Sequence, residues 1–376
     1  MLEVEDRDRK EKKELNNRRQ MNFELLRIIS IIMIILHHYS LYGGLIGIET
    51  ISINKFIGEY IYIGGKLRTV LFVMISGYFL IDKTYKFKNL IKVILEVFFY
   101  SVSIYMILVL CQKIEFSPKD LIKSLFPIIY NQYWFATSYV GLYIFIPFVN
   151  KLVKNMNEFQ YKLLIIIGMI VFVIIPTIVI GGGDGFIGGI SYFIYLYMLS
   201  GYLKKYNFNM LRKKKNCIIL IITVLCIMML VSVISTYLAQ DFSIFENGIT
   251  YLSNQHSVTI VLLAIGIFQL FRYTNIKYNK FIEICATVSF SVYLIHENPY
   301  FQEVLWKEIL KVQNYYDANI LSLTFNILFS VIFIYGISLL IDLFRKKFLE
   351  EKIFETIYKK YFETKIKKVE NILNDT

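Results

Sequence analysis

Long apolar stretches alternate with short polar or basic segments along almost the whole chain. Ten of these stretches approach the roughly 17–25 residues that a helix needs to cross the ~30 Å hydrocarbon core of a bilayer. They cover residues 23–42, 60–81, 90–111, 132–150, 161–180, 187–203, 216–239, 256–272, 281–298 and 319–341. The pattern predicts an all-α, polytopic integral membrane protein with about ten transmembrane helices.

The positions of lysine and arginine test this interpretation, because cytoplasmic loops of membrane proteins are enriched in both. With the N-terminus inside, about 33 of the 41 basic residues fall in cytoplasmic segments. An even number of crossings then places both termini in the cytoplasm. We therefore expect a cytoplasmic N-terminal segment (1–20), a membrane domain (21–343) and a cytoplasmic tail (344–376). The tail has an amphipathic pattern that suits the surface of a leaflet, with a coiled-coil contact as the alternative.

The composition agrees with lipid as the solvent, since 56% of the residues are hydrophobic and 19% are charged, against about 45–50% and 25% in soluble domains. The net charge of +12 is explained by the inner loops and by contact with anionic membrane lipids, so no nucleic-acid partner is expected. The four cysteines are dispersed without metal-ligand spacing, and no metal is expected. No cleavage site follows residues 1–20, so the first apolar segment is expected to remain as a membrane anchor. The bias toward Lys, Ile and Asn suggests an AT-rich bacterial source, so the expected location is a bacterial cytoplasmic membrane.

A few ionisable side chains stand inside the apolar segments, where each costs about 2.5–3.5 kcal/mol and normally faces a cavity or a partner. In the first segment His38 follows Arg27 at a helical distance of about 16 Å. Arg68 occupies a comparable depth in the second segment. His38 could be a structural hydrogen-bonding group, and Arg68 and Lys66 could extend to the outer interface. The presence of His38 and Arg68 together favours a functional cavity.

Other polar groups have two interpretations each. Glu96 in the third segment suits a structural pairing with a cation and a catalytic role equally well, and it could also set a local pKa. His296 and Glu297 end the ninth segment, as an interfacial cap or as part of a site, and Asp184 lies in a glycine-rich outer loop. The sequence contains neither a phosphate-binding loop nor a Gly-x-Ser-x-Gly nucleophile motif.

Four segments of the chain carry distinctive motifs. In the first, Arg27 is followed after ten intervening residues by His38. The other three motifs consist of Phe72, Ser76 and Gly77; of Trp134, Phe135, Tyr139, Leu142, Tyr143 and Pro147; and of Tyr293, Leu294 and His296. In their order and spacing these four motifs together resemble those of the family-3 membrane acyltransferases, and the combination makes the resemblance specific.

The resemblance implies an integral membrane O-acyltransferase that moves an acyl group, most often acetyl, from cytoplasmic acyl-CoA to a hydroxyl of a cell-surface or lipid-linked polysaccharide. Acyl-CoA would be a donor substrate, not a permanently bound cofactor. Acylation of a hydroxyl needs a base, for which we expect the imidazole of His38. Arg68 would stabilise the developing oxyanion, and Glu96 is the third catalytic candidate.

The same hypothesis places phosphate-binding cations at the inner face and aromatic or acidic sugar-binding groups at the outer face. The donor candidates are Arg27, Ser76 and the basic loop that contains Lys83, Lys86, Lys88 and Lys92. The acceptor candidates are Tyr133, Trp134, Asp184, His296 and Glu297. An Arg-x-x-Arg element that many relatives carry after the second span is not evident.

The alternative function is transport or export of a polysaccharide or a lipid-linked sugar. Many transporters contain internal repeats and paired broken helices, and no clear internal symmetry is evident in this sequence. The sequence leaves open the acceptor sugar, the acyl group and the oligomeric state, including a homo-oligomer.

Overall fold

A computed structural model describes residues 20–179, 189–206, 208–245 and 248–375, and each regular element in these ranges is helical. The α-helices are α1 (Met21–Leu41), α2 (Ile53–Tyr62), α3 (Gly64–Leu80), α4 (Phe87–Leu110), α5 (Pro118–Leu125), α6 (Trp134–Lys154), α7 (Glu158–Ile178, π-helical at Ile170–Ile174), α8 (Gly189–Lys205), α9 (Lys214–Leu238), α10 (Gly248–Leu252), α11 (Val258–Arg272), α12 (Lys280–Thr287), α13 (Ser289–His296), α14 (Ile320–Arg345) and α15 (Glu363–Asp375). Short 3-10 or π-helical turns occupy Leu45–Gly47, Asn209–Arg212, Ser243–Phe245, Val304–Ile309 and Val312–Tyr315. Mainly π-helical turns over 346–362 join α14 to α15.

Seven helices of the described chain are long and apolar enough to cross a bilayer. They are Met21–Leu41, Ile53–Leu80, Phe87–Leu110, Trp134–Lys154, Glu158–Ile178, Lys214–Leu238 and the continuous Ile320–Asn374. The helices in the other three predicted ranges are shorter: α8, α11 and the pair α12 and α13. The all-helical class is confirmed, whereas the count of ten crossings and the side of the termini stay predictions.

Helix α3 lies at the centre of the bundle, where it packs against α1, α6, α8 and α11. Its glycines make this packing possible, as the small residues of the segment predict. A Cβ atom added at Gly77 would collide with the Ser200 hydroxyl and the Tyr197 carbonyl, and one added at Gly65 would collide with the His37 ring. Side chains projecting from α3 are consequently enclosed by neighbouring helices.

Helices α4, α7, α9 and α14 form much of the periphery. Each leaves large apolar side chains exposed, among them Phe98, Ile166, Leu230 and Phe325. Apolar patches of this extent on a protein surface require cover by lipid or by another protein. The central position of α3 and the apolar periphery together fit a helical membrane protein.

Contacts join the connecting segments in two groups. The first group includes the pairs Asn22–Phe271, Arg272–Leu203, Lys204–Asp82 and Tyr85–Asn374. The second group includes the pairs Asn54–Tyr316, Gln132–Tyr300 and Lys113–Glu308. Segments predicted for the same side of the membrane thus meet one another. The first group defines what we call the basic end of the bundle, and the second defines the opposite end.

The tail after α14 is tied to the start of α4 by ion pairs. Lys88 Nζ lies 2.6 Å from Glu355, and Lys92 Nζ lies 2.8 Å from Glu355 and 3.0 Å from Glu350. Ile353 and Ile357 of the tail stay about half exposed. The tail therefore packs on the bundle and still presents an apolar surface, and its predicted contact with a leaflet stays a prediction.

These contacts predict how the tail responds to pH. Hydrogen bonds from Lys88 and then Lys92 lower the pKa of Glu355 from 4.5 to about 2. A carboxyl whose pKa falls on docking stabilises the docked tail only while it is ionised. Docking should therefore be constant above about pH 4.5 and weaken as the pH falls toward 2.

Hydrogen exchange of residues 346–362, corrected for intrinsic rates, measures this docking. Glu355→Gln should lower protection by a factor of about 2–5 at neutral pH, because partly exposed ion pairs contribute little individually. Glu351→Gln is the matched control, since Glu351 is exposed and forms no ion pair within the described residues. Equal protection in both variants would show that the ion pairs do not hold the tail.

Candidate active site

His38 and Glu297 meet near the opposite end of the bundle, although 258 positions separate them in the sequence. His38 lies in the last turns of α1, and Glu297 is the C-cap of α13. The Nε2 atom of His38 lies 2.9 Å from Oε2 of Glu297. Both side chains are buried. This is an imidazole and carboxylate pair held away from bulk solvent.

The contact with Glu297 distinguishes the two nitrogens of His38. Oε2 of Glu297 lies within ion-pair distance of Nε2 but forms no hydrogen bond among the described residues, so the negative charge beside Nε2 is what favours a proton on that nitrogen. The lone pair then resides on Nδ1. That atom is buried and has no hydrogen-bond partner among the residues that the structure describes. The arrangement leaves one nitrogen of His38 available to accept a proton.

Arg68 presents a buried guanidinium from α3 to an aromatic cage. Its Cζ atom lies 4.4 Å from the ring centre of Tyr293, 4.7 Å from that of Phe135 and 5.2 Å from that of Phe72. Aromatic faces stabilise a cation without neutralising it. No carboxylate lies within ion-pair distance of Arg68 in the described part of the chain, although Arg68 interacts electrostatically with His38 and Glu297. The cage therefore keeps a positive charge available near the pair.

Two further histidines adjoin this site, and each donates Nδ1–H to a backbone carbonyl. His296 Nδ1 lies 2.5 Å from the carbonyl of Val292, and His37 Nδ1 lies 2.6 Å from that of Tyr62. The rings of His296 and His38 are 5.0 Å apart. The carbonyls hold both rings in place. Nε2 of His296, like Nδ1 of His38, is buried without a hydrogen-bond partner among the described residues, but it has no carboxylate on the opposite nitrogen.

Glu96 lies in a different cluster, on the part of α4 nearer the basic end. It accepts a hydrogen bond of 2.6 Å from Ser291 and lies 3.3 Å from Arg345. Arg345 also pairs with Asp342 at 2.7 Å, and Asp342 accepts a hydrogen bond from Tyr100. Glu96 thus joins α4 to α13 and α14, in the arrangement expected of a structural ion pair.

The donor candidates are spread over the basic end. Arg27 pairs with Glu24 at 3.1 Å, and the Ser76 hydroxyl lies 3.1 Å from that of Tyr139. Lys86 is exposed. Lys88 and Lys92 are engaged by Glu350 and Glu355, as described above. The structure does not gather these five side chains into one site.

The acceptor candidates divide between the site and its rim. His296 and Glu297 belong to the buried pair and its surroundings. Tyr133 is also buried, and its hydroxyl accepts a hydrogen bond of 2.8 Å from Asn298. Trp134 is half buried beneath Lys66, whose Nζ lies 4.8 Å from the indole. Asp184 lies outside the described residues.

Sequence reasoning missed the role of Tyr42. Its hydroxyl donates a hydrogen bond of 3.3 Å to Oε1 of Glu297, and its ring lies 4.8 Å from that of His38. The available signal was its position four residues after His38, which places the two side chains on the same helix face. In the sequence, Tyr293 and Phe135 are recognisable only as residues of the motifs. Their contact with Arg68 depends on the fold.

A comparison with protein families matches the acyltransferase domain family Acyl_transf_3 over residues 22–342. The match covers most of the chain and includes both His38 and Arg68. The protein therefore belongs to this acyltransferase family, and its seven long apolar helices within the described residues support a membrane acyltransferase. No match was found among curated proteins or among solved structures.

Proposed function

We propose that this protein transfers an acyl group, most often acetyl, from cytoplasmic acyl-CoA to a hydroxyl of a cell-surface or lipid-linked polysaccharide. The site lies in a bacterial cytoplasmic membrane, with the basic end facing the cytoplasm. The donor enters from that end and the acceptor from the opposite end. Family membership supports the acyl transfer, and the basic residues at one end support the polyanionic donor.

The reaction has one bond made and one bond broken. Nδ1 of His38 takes the proton of the acceptor hydroxyl as its oxygen attacks the thioester carbonyl. The negative charge that forms on the carbonyl oxygen is stabilised by the guanidinium of Arg68. The carbon–sulfur bond then breaks, and the proton held by His38 returns to the departing sulfur, which leaves as the CoA thiol. Glu297 stabilises the charged imidazolium between these steps.

One observation carries this proposal: His38 directs Nε2 to Glu297 and leaves Nδ1 without a hydrogen-bond partner, near a guanidinium that has no ion-pair partner among the described residues. His37 and His296 direct Nδ1 to backbone carbonyls, whereas His38 directs Nε2 to a carboxylate. The geometry suits a proton acceptor next to an oxyanion site.

The proposal is tested by deleting the gene and comparing surface and lipid-linked glycans by proton NMR. Loss of ester-linked acyl signals, restored by the unchanged gene and not by His38→Gln, is the expected result. Unchanged acylation of every glycan would contradict the proposal. Reduced amounts of glycan at the surface with normal acylation would instead indicate an exporter.

Arg68 provides a graded prediction. Arg68→Gln should lower the transfer rate by about 10²–10³-fold, the effect of removing one group that stabilises an oxyanion. Arg68→Lys should keep part of the activity, because the charge remains while the planar contact with Tyr293 is lost. The measurement is release of CoA thiol in nanodiscs. Equal activity of the Gln and Lys variants would show that the charge is not used.

A further inference from the structure

A cavity of about 460 Å³ opens at the basic end of the bundle. It lies where α3, α6 and α8 end, and the end of α15 forms another part of its wall. Gly201 lines the cavity at a point where an added Cβ would touch the Tyr161 hydroxyl and the Ile81 side chain at 2.8 Å. The cavity is therefore bounded by closely packed helix ends.

The lining of this cavity is strongly basic. It includes four lysines, Lys83, Lys151, Lys154 and Lys205, and one acidic residue, Asp82. The carboxylate of Asp82 lies 2.7 Å from Lys204, which does not line the cavity. The four lining lysines form no ion pair within the described ranges. Their charge is consequently available to a ligand with several negative charges.

The tail completes the cavity on one side. The Asn374 side chain accepts a hydrogen bond of 2.8 Å from the Tyr85 amide and donates one of 3.2 Å to the Tyr85 carbonyl. This two-point contact holds Leu373 and Asn374 at the cavity wall. A site thus exists between the membrane domain and the tail that neither would form alone.

The cavity is also aligned with the active site. The part of helix α3 between Arg68 and the cavity residue Ile81, which caps its C-terminal end, is about 20 Å long. A row of phenol rings follows the same course: the ring of Tyr85 is 5.4 Å from that of Tyr143, which is 6.3 Å from that of Tyr139. An extended thioester arm anchored at the cavity would run along this row toward Arg68.

We propose that the cavity binds the phosphate groups of the acyl-CoA donor through Lys83, Lys151, Lys154 and Lys205, an inference that rests on the proposed function. Lysine is a common ligand of phosphate in proteins. The assignment shares Lys83 with the one drawn from sequence and otherwise differs from it, because Lys88 and Lys92 are already paired with acidic residues of the tail.

Binding of CoA to the full-length protein tests the assignment without requiring a known acceptor. The protein is placed in nanodiscs of phosphatidylcholine alone, and CoA is titrated by calorimetry. Lys151→Gln with Lys154→Gln should raise the dissociation constant about tenfold or more, since charge-assisted bonds to phosphate are lost. Lys213→Gln with Lys214→Gln is the matched control, which removes two exposed lysines outside the cavity and should bind CoA normally.

Pantetheine, which has the thiol arm of CoA but no phosphate, should show the same weak affinity for both double variants and for the unchanged protein. Equal CoA affinity in the two double variants would overturn the assignment. The assignment would also be overturned if Lys151→Gln with Lys154→Gln lowered the affinity for CoA only in nanodiscs that contain anionic lipid. That result would identify the cavity as a lipid-headgroup site.

The test of the cavity can fail while the proposed function holds, and the reverse is also possible. If the glycans are acylated normally but CoA binding does not depend on the lysines, only the assignment of the cavity as the CoA-phosphate site is overturned. Lysine-dependent CoA binding in a protein whose deletion leaves every glycan unchanged would retain the site and overturn the acceptor.

Discussion

Replacing His38 by Gln should lower the rate of acyl transfer by about a thousandfold or more, within the range for loss of a general base. The amide nitrogen of Gln can occupy the position of Nε2, so the contact with Glu297 is kept. The basic Nδ1 is lost. The variant thus removes proton acceptance while preserving the packing around the site.

His37→Asn is the matched control for this variant, because the amide nitrogen of Asn can replace the Nδ1 donor to the Tyr62 carbonyl. We expect it to keep activity within a few-fold. Single-turnover release of CoA in nanodiscs, with membrane yield and thermal unfolding measured on each variant, makes the comparison. An active His38→Gln variant would exclude the assigned base.

Glu297→Gln should lower the rate by about 10²–10⁴-fold with little effect on donor binding. The amide can present an N–H to His38, which favours the tautomer with its lone pair on the wrong nitrogen, and it no longer stabilises the imidazolium. Glu303→Gln is the control, because Glu303 is exposed and its one ion pair within the described residues is with Lys307, at 2.8 Å.

Two measurements distinguish this effect from misfolding. Glu297→Asp retains a carboxylate and should recover part of the rate, and His38→Gln combined with Glu297→Gln should be no slower than His38→Gln alone, because groups that act as a unit are not additive. A double variant much slower than either single variant would show that the two residues act independently.

The hydropathy pattern predicted most of the helices, because an apolar segment in lipid must satisfy its backbone hydrogen bonds internally. Helix α1, for example, spans Met21–Leu41 against a predicted 23–42. The hydropathy pattern was less accurate at the ninth segment, where it predicted one helix over 281–298. There the chain forms two short helices, α12 and α13, which meet at Val288, since a hydropathy window does not register a local break.

The candidate site was predictable in part. His38 and Arg68 stand out in sequence because a basic side chain inside an apolar helix is costly and must have a partner or a cavity. Glu96 stands out by the same rule, yet it lies with Arg345. The rule identifies buried ionisable groups and does not say which of them lie together.

The sequence by itself determined the helical membrane character of this protein and singled out its buried charges, because both depend on residues close together in the chain. Tertiary structure decided the chemistry of the site. It brought Glu297 to His38, enclosed Arg68 in rings from three helices, and paired Lys88 and Lys92 with the tail. These contacts depend on the packing of helices far apart in sequence, and no local pattern encodes which side chains that packing brings within a few ångströms of each other.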